Sequence, residues 1–158
     1  MSKVYLVCGK ICSGKTTYAK KICAKSNAIL LSVDEIMLSL FDQCCGPQLH
    51  QEYERRLKGY LFEKSLELLK NGSDVVLDWG FWTTAERNAT KEFYRTQGIS
   101  CELHYVDVDD KTWEQQLNKR NNQIMNKEVK AYHLTLERAS EFASMFKKPA
   151  NNEVDIFV

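Results

Sequence analysis

The stretch GKICSGKT at residues 9–16 constrains this chain more than any other part of its sequence. It fits the pattern G-x-x-x-x-G-K-[ST] at every position. A short valine-containing apolar run precedes it at residues 3–8, and helix-forming residues continue from it over residues 15–26. A strand before the glycine-rich loop and a helix after it are the context that this pattern requires. The motif therefore predicts a strand, a loop and a helix in that order.

The spacing of this loop suits a polyphosphate ligand. A curled loop points successive backbone N–H groups at one small volume, and glycine permits the close approach that a side chain would block. We expect Lys15 to reach the β- and γ-phosphates of ATP and Thr16 to offer its hydroxyl to Mg²⁺. The residues expected to bind the nucleotide are Gly9, Lys10, Ile11, Cys12, Ser13, Gly14, Lys15, Thr16, Thr17 and Arg120.

The remaining apolar runs alternate with helical patterns along the chain. Further strands are predicted at residues 28–32, 74–78, 100–108 and 154–158. Between them lie helical patterns at residues 15–26, 48–70, 83–97, 109–118 and 135–147, with a short helical stretch after Asp34. Such alternation predicts an α/β fold with a parallel sheet and helices on both faces. A length of 158 residues suits a single domain.

Composition narrows the classes of partner. Lysine and arginine number 22 against 21 aspartates and glutamates, a net charge of +1 that argues against a broad nucleic-acid-binding surface. No apolar run approaches the roughly 18 residues that a membrane helix needs, and no signal-peptide pattern is evident, so a cytoplasmic protein is expected. The six cysteines contain no C-x-x-C pair, which disfavours a disulfide framework or a zinc site.

Two aspartates follow predicted strands, where ligands of open parallel sheets bind. Asp78 ends VVLD and is a candidate to hold Mg²⁺ through water, the alternative being a polar strand end. Asp34 ends LSVD and is a candidate base that accepts a proton from a substrate hydroxyl. Its alternative role is the N-cap of the next helix.

Three basic features complete the candidate site. Residues 120–133 form a polar segment interpreted as a lid, with Arg120 at its base to stabilise the transferred phosphoryl group, unless Arg120 is a solvated surface residue. Lys127 and Lys130 are weaker candidates in the same segment. Arg87 either grips the acceptor or its phosphate or forms a salt bridge along its own helix.

The aromatic residues beside Asp78 allow two interpretations. Trp79, Phe81 and Trp82 either belong to the core or stack on a base or ring at the mouth of the site. The sequence leaves both open.

Five stretches carry a resemblance to a known family: GKICSGKTT, LSVDE, VVLDWGFWTTAER, VDVDDKTWEQQLNKRN and the FKKP segment. On these the chain resembles the small P-loop (Walker A) kinases of the "AAA family ATPase" type. They are similar to the kinase domain of polynucleotide kinases and, more distantly, to zeta toxins and chloramphenicol phosphotransferase. The resemblance implies a five-stranded sheet in the order 2-3-1-4-5.

The resemblance also implies site roles. Asp34 would be the catalytic acid/base, Arg120 the lid arginine, and Arg87 the arginine that follows the acid of the third strand. Polynucleotide kinases carry an arginine three residues beyond the catalytic aspartate, and here that position is Met37. This departure and the nearly neutral net charge make a polynucleotide substrate less favoured.

Together these patterns predict an ATP- and Mg²⁺-dependent kinase acting on a hydroxyl of a small-molecule or nucleotide-like acceptor. Asp34, Lys15 and Arg120 are the expected catalytic residues, Thr16 and Asp78 the metal-binding residues, and Asp34 and Arg87 the acceptor-binding residues. The alternatives are a polynucleotide 5′-hydroxyl kinase and a nucleotide-dependent switch with weak ATPase activity. A monomer or small homo-oligomer without a membrane partner is expected.

Overall fold

The computed structural model describes residues 2–158 and builds them around one parallel sheet. The strands lie in the order β2-β3-β1-β4-β5. Their bounds are Lys3–Cys8 for β1, Ile29–Ser32 for β2, Val75–Gly80 for β3, Ser100–Tyr105 for β4 and Ile156–Phe157 for β5. The predicted α/β class and strand order are both confirmed.

Helices connect the strands and cover both faces of the sheet. They are α1 (Lys15–Ser26), α2 (Val33–Phe41), α3 (Pro47–Lys70), α4 (Thr84–Thr96), α5 (Asp110–Met125) and α6 (Leu136–Met145), with a 3-10 turn at Asn151–Glu153. The side chains of Thr83, Asp109 and Thr135 accept backbone N–H bonds at the starts of α4, α5 and α6. Each cap satisfies a donor that has no partner within its own helix.

The core explains why the strands are continuous apolar runs. β1 pairs with β3 on one side and β4 on the other, and its residues Val4 and Leu6 are fully buried, as are Val75 and Leu77 of β3. A parallel sheet with helices on both faces buries both sides of its central strands, so polar alternation is absent. The carboxyl ends of β1, β2 and β3 consequently meet at one rigid edge.

Helix α5 is longer than the sequence indicated. It continues to Met125, so Arg120 lies within the helix and not at the base of an irregular segment. In the preceding turns of α5, the side chains of Trp113 and Leu117 are buried. The polar residues that follow extend the exposed side of the same helix. The irregular part of the predicted lid begins only after α5 and reaches the N-cap Thr135, a stretch called here the 126–135 segment.

Two local boundaries also differ from expectation. β4 ends at Tyr105, although the Val106 N–H still donates to the Cys8 carbonyl at 2.8 Å. Ser32 is the N-cap of α2, because its hydroxyl accepts from the Glu35 N–H at 3.4 Å, and Asp34 stands in the first helical turn. The alternative role of Asp34 as N-cap is therefore not observed.

Within residues 2–158, every helix is too short or too polar to cross a bilayer.

Candidate active site

The loop between β1 and α1 curls tightly upon itself. The Ser13 N–H donates to the Lys10 carbonyl at 3.2 Å, and the Lys15 ammonium donates to the same oxygen at 2.8 Å. Cys12 and Gly14 have φ angles of 59° and 91°, in the left-handed region. Alternation between right- and left-handed residues turns consecutive N–H groups toward one side, which makes an anion-binding concavity.

Gly9 is required at its position by its neighbours. A Cβ atom on Gly9 would lie 2.6 Å from the Ser13 hydroxyl oxygen and 2.7 Å from the Val106 carbonyl oxygen. The Gly9 N–H also donates to the Gly80 carbonyl at 3.3 Å, which joins the loop to the end of β3. The first glycine of the motif thus serves close packing against two neighbouring strand ends, whereas Gly14 serves the positive φ.

Thr16 and Asp78 meet behind this loop. The Thr16 hydroxyl donates to an Asp78 carboxylate oxygen at 2.7 Å, and Asp78 is only 5% exposed. Burial raises the pKa of Asp78, and the Thr16 hydrogen bond acts in the opposite direction. A hydroxyl beside a carboxylate is the kind of oxygen donor set that Mg²⁺ accepts when water and phosphates supply its other ligands. No group of three or more histidine, cysteine, aspartate or glutamate side chains that could hold a metal ion occurs in the described chain.

Lys15 brings a positive charge to the same place. Burial lowers the pKa of its ammonium, whereas the carboxylates of Asp78 and Asp34 raise it. Both acids are therefore close enough to act on Lys15 electrostatically. The phosphate-binding loop and the two aspartates predicted from strand ends lie together at the carboxyl edge of the sheet, a region called here the cleft.

Asp34 faces this cleft from the first turn of α2. The residue keeps contact with solvent, but burial of its carboxyl among surrounding atoms is the main cause that raises its pKa, and the like charges of Glu54 and Asp78 add to that rise. Lys15 and Arg120 act in the opposite direction. A carboxyl with a raised pKa and solvent access is suited to proton transfer at a bound substrate.

Arg120 lies against the phosphate-binding loop. One terminal N–H group donates to the Cys12 sulfur at 3.2 Å and the other to the Tyr132 carbonyl at 2.9 Å, while the buried Nε has no partner in the described chain. The neighbouring Asn121 holds the backbone of Leu134 through two hydrogen bonds of 2.6 and 3.3 Å. α5 thereby ties the 126–135 segment to the loop.

The two lysines of the predicted lid lie further from the phosphate-binding loop than Arg120 does. Lys130 is exposed and forms an ion pair with Asp42 at 2.7 Å. Lys127 is exposed in the turn that follows α5, with a φ of 58°. Of the three basic residues predicted in this region, Arg120 is the one that contacts the loop.

Arg87 has a different environment from the one that an acceptor-binding role needs. It is fully buried, and its five N–H donors bond to both carboxylate oxygens of Glu153, to the carbonyls of Phe81 and Lys147, and to the Thr84 hydroxyl. No donor is left for an acceptor. The salt-bridge alternative describes Arg87, but its partner is Glu153, 66 positions away, and not a neighbour on its own helix.

The aromatic residues beside Asp78 belong mainly to the core. Phe81 is fully buried. Trp79 packs edge-on against Phe62 with 5.4 Å between ring centres, and Trp82 packs against Phe142 with 5.9 Å between ring centres. This packing favours the core interpretation for Phe81 and Trp79, whereas Trp82 is only half-buried and its stacking role stays a prediction.

The structure adds residues that sequence patterns did not single out. Glu54 on α3 and Tyr132 in the 126–135 segment lie close enough to Asp34 for their charges to be coupled. His50 packs edge-on against Tyr132 at 5.4 Å between ring centres. Neither a lone glutamate in a polar helix nor a tyrosine in a polar segment carries a local signal of such a role.

The family follows from comparison with known proteins. Residues 4–143 match a protein family described as "AAA domain". This chain belongs to that AAA-domain family. The match covers β2 to β4, nearly all of β1, the phosphate-binding loop and Arg120 but not β5, so the residues around the phosphate-binding loop lie within the shared region. No significant match was found among curated proteins.

Solved structures show which fold this AAA-domain chain shares. The Pnkp1/Rnl/Hen1 RNA repair complex matches at a TM-score of 0.71 and 19% identity over 91% of this chain, which spans 43% of that longer chain. Mycobacterium tuberculosis APS kinase CysC, bound to AMPPNP and APS, matches at a TM-score of 0.67 and 20% identity, and the match covers 99% of this chain and 87% of the CysC chain.

A third similar structure is Chaetomium thermophilum Kti12 in complex with ADP-AlF3. It matches at a TM-score of 0.71 and 14% identity, covering 98% of this chain and 88% of its own. At these identities the likeness concerns the fold. The AAA-domain chain has the P-loop kinase-like fold that the sequence predicted.

Proposed function

We propose that this protein is an ATP- and Mg²⁺-dependent kinase that transfers the γ-phosphate to a hydroxyl of a small-molecule or nucleotide-like acceptor. The observation that carries the proposal is the position of Asp34, which follows the end of β2 where Ser32 pairs with Asp78, close enough to Lys15 at the phosphate-binding loop for the two charges to act on each other. A nucleotide-dependent switch requires the loop but has no need of a carboxyl base opposite it.

The proposed reaction assigns one task to each group. The acceptor hydroxyl passes its proton to Asp34 as its oxygen forms a bond to the γ-phosphorus. The bond from that phosphorus to the bridging oxygen breaks, and ADP leaves with the electron pair. Lys15 and Arg120 stabilise the negative charge that spreads over the transferred phosphoryl oxygens.

Thr16 and Asp78 are the residues that would hold Mg²⁺, which when bound neutralises charge on the β- and γ-phosphate oxygens. Arg120 links the loop to the 126–135 segment through Cys12 and the Tyr132 carbonyl. This link supports a lid role for the segment, which would limit the access of water to the reacting groups. Phosphate then passes to the acceptor in preference to solvent.

Transfer of labelled γ-phosphate from ATP tests the proposal. The acceptor panel contains 5′-hydroxyl oligonucleotides, nucleosides, sugars, nucleotide sugars and hydroxylated antibiotics. A labelled product is expected with the native protein, none with Lys15→Ala, and a product reduced by about two to four orders of magnitude with Asp34→Asn. Lys21→Ala, an exposed lysine on the same helix, is the matched control and should leave transfer unchanged. Full transfer by Asp34→Asn would refute the base assignment.

A polynucleotide 5′-hydroxyl kinase is the second candidate, because one similar structure is an RNA repair complex. Met37, which replaces the arginine of polynucleotide kinases, is only 1% exposed and faces the core. This candidate predicts oligonucleotide binding that weakens steeply with salt. The switch candidate predicts tight nucleotide binding, slow hydrolysis and no labelled acceptor.

A further inference from the structure

We infer that the acceptor is a hydroxyl compound without an anionic group, and that a protonated amine near its reactive hydroxyl improves it as a substrate. The inference rests on the proposed kinase function and concerns the chemical class of the acceptor. It follows from the charges and polar atoms that surround Asp34 on the side of the cleft away from the phosphate-binding loop.

The first argument is an excess of negative charge on this side. Burial is the main cause that raises the pKa of Asp34 and of Tyr132, and the negative charge of Glu54 adds to both rises. The ammonium of Lys58 forms ion pairs with Glu54 at 3.0 Å and with Glu86 at 2.9 Å. Because two carboxylates share one ammonium, this triad retains a net negative charge, to which Asp34 adds another.

The second argument is that cations on the surrounding elements are already paired. Lys58 serves the two glutamates, Lys130 pairs with Asp42, and Arg87 is saturated by Glu153 and nearby oxygens. Arg55 and Arg56 share the half-buried Glu52, and because both arginines are exposed, the surplus positive charge of this trio lies at the solvent side of α3. An anionic acceptor would need at least one free cation to offset its desolvation, and like charges brought together in an interface carry a large penalty.

The remaining cations belong to other parts of the cleft. Lys15 and Arg120 lie at the phosphate-binding loop, and the proposed reaction assigns both of them, including the unpartnered Arg120 Nε, to the transferred phosphoryl group. Lys127 is exposed in the turn after α5. The side of the cleft that receives the acceptor is thus negative, while the side that receives ATP is positive.

The third argument is the set of polar atoms that await a partner. The Tyr132 hydroxyl and the His50 Nδ1 are both buried and have no hydrogen-bond partner in the described chain. Their rings pack together at 5.4 Å, beside Asp34 and Glu54. Buried polar groups in native proteins are normally satisfied, and neutral donors and acceptors of this kind suit hydroxyl groups of a ligand. An adjacent aromatic face also favours an ammonium group.

Acceptors that differ only in charge test the inference. Three scaffolds are used, a hexose, a cyclitol and a nucleoside, each as the amine, the parent alcohol and the carboxylate. We expect kcat/KM for γ-phosphate transfer to be highest for the amine and lowest for the carboxylate, with a ratio of about tenfold or more from a charge at this range.

Variants of α3 separate charge from folding. Glu54→Gln should reduce the amine-to-carboxylate ratio severalfold, whereas Glu54→Asp, which keeps the charge, should largely retain it. Glu52→Gln is the matched control, because Glu52 lies on the same helix and its carboxylate is bound by two exposed arginines. Thermal melting of each variant checks that it is folded.

The outcomes distinguish the inference from the function on which it rests. A carboxylate or phosphate-bearing acceptor that surpasses its matched amine overturns the inference and leaves the kinase assignment intact. The same holds if Glu54→Gln leaves the ratio unchanged in a folded protein. ATP binding that depends on Lys15, with no acceptor of any charge phosphorylated, contradicts the proposed function and the inference together.

Discussion

Gly9 shows at the scale of one residue why the phosphate-binding loop tolerates so little change. Its missing side chain leaves room for the Ser13 hydroxyl and the Val106 carbonyl, both within 2.7 Å of where a Cβ would stand. One of these neighbours is backbone and cannot turn aside. Glycine is therefore required here for lack of space, and the limiting backbone atom, the Val106 carbonyl oxygen, lies nearly a hundred residues away in the chain.

Gly9→Ala is expected to destabilise the protein by about 1–3 kcal/mol, because an extra carbon in close-packed surroundings forces a shift of the loop. Nucleotide affinity should fall with it. Gly59→Ala is the matched control, since nothing lies within 4 Å of its Cβ on the exposed side of α3. That change should stabilise the protein by about 0.5–1 kcal/mol through helix propensity. Urea unfolding measures both, and equal effects would contradict the packing argument.

The pH dependence of transfer follows from Asp34. The protonated carboxyl cannot accept a proton, so kcat/KM should fall as pH decreases through its pKa. Because surrounding protein and like charges raise that pKa, the acidic limb should lie above 3.8, the value of an ordinary aspartate. Glu54→Gln removes a negative neighbour and should move the limb to lower pH.

The pH–rate profile of native and variant enzyme measures this shift. Glu52→Gln should leave the limb in place, because Glu52 is engaged by Arg55 and Arg56 on the exposed side of α3. A limb that stays fixed in Glu54→Gln would show that Glu54 does not act on the titrating group.

At the scale of elements, Arg87 joins three parts of the chain. It belongs to α4, its carboxylate partner Glu153 lies in the 3-10 turn, and two carbonyls that it bonds precede α4 and follow α6. A fully buried guanidinium with every donor bonded holds these elements in register. These bonds fix the chain that follows Asp78 and leave no Arg87 donor free for a ligand.

Arg87→Met should cost roughly 3–5 kcal/mol of unfolding free energy, because it leaves Glu153 and two carbonyls without their partner. Arg95→Met removes an exposed i,i+3 pair with Glu92 on the same helix and should cost far less than Arg87→Met. Urea unfolding compares the two. A stable Arg87→Met protein with a raised KM for the acceptor would restore Arg87 as a substrate-binding residue.

The 126–135 segment illustrates a second relation between elements. Sequence polarity indicated an irregular lid from residue 120, but helix α5 continues through that polar stretch and places Arg120 against Cys12. The arginine contacts the loop because α5 packs there through Trp113, whose indole N–H donates to the Ile11 carbonyl at 2.7 Å. The packing of the helix, more than the flexibility of a lid, sets the position of Arg120.

At the scale of the whole molecule, nucleotide binding should be visible as stability. A ligand that binds only the folded state at a hundred times its Kd adds about 2.7 kcal/mol, which for a chain of this size raises Tm by roughly 5–10 °C. ATP analogues with Mg²⁺ should produce this shift in native protein and in Lys21→Ala. Lys15→Ala should lose most of it, and differential scanning calorimetry measures the difference. A shift retained in Lys15→Ala would contradict the loop assignment.

The sequence by itself determined the sheet, the strand order through family resemblance, and the position of the phosphate-binding loop. These are local properties: the loop is formed by consecutive residues, and the strands are continuous apolar runs that both faces bury. Asp34 and Asp78 could also be identified as candidates from the sequence, because each follows a predicted strand and the carboxyl ends of parallel strands meet at one edge. Their catalytic and metal-binding roles stay predictions.

Only the tertiary structure decided what surrounds those residues. Arg87 meets Glu153 across 66 positions, Arg120 meets Cys12 across 108, and Glu54 and Tyr132 approach Asp34 from separate elements. Charge pairing depends on distance in space, which helix packing and loop paths set, and no spacing pattern along the chain encodes it. The opposite charges of the two sides of the cleft therefore depend on the fold and cannot be read from the sequence alone.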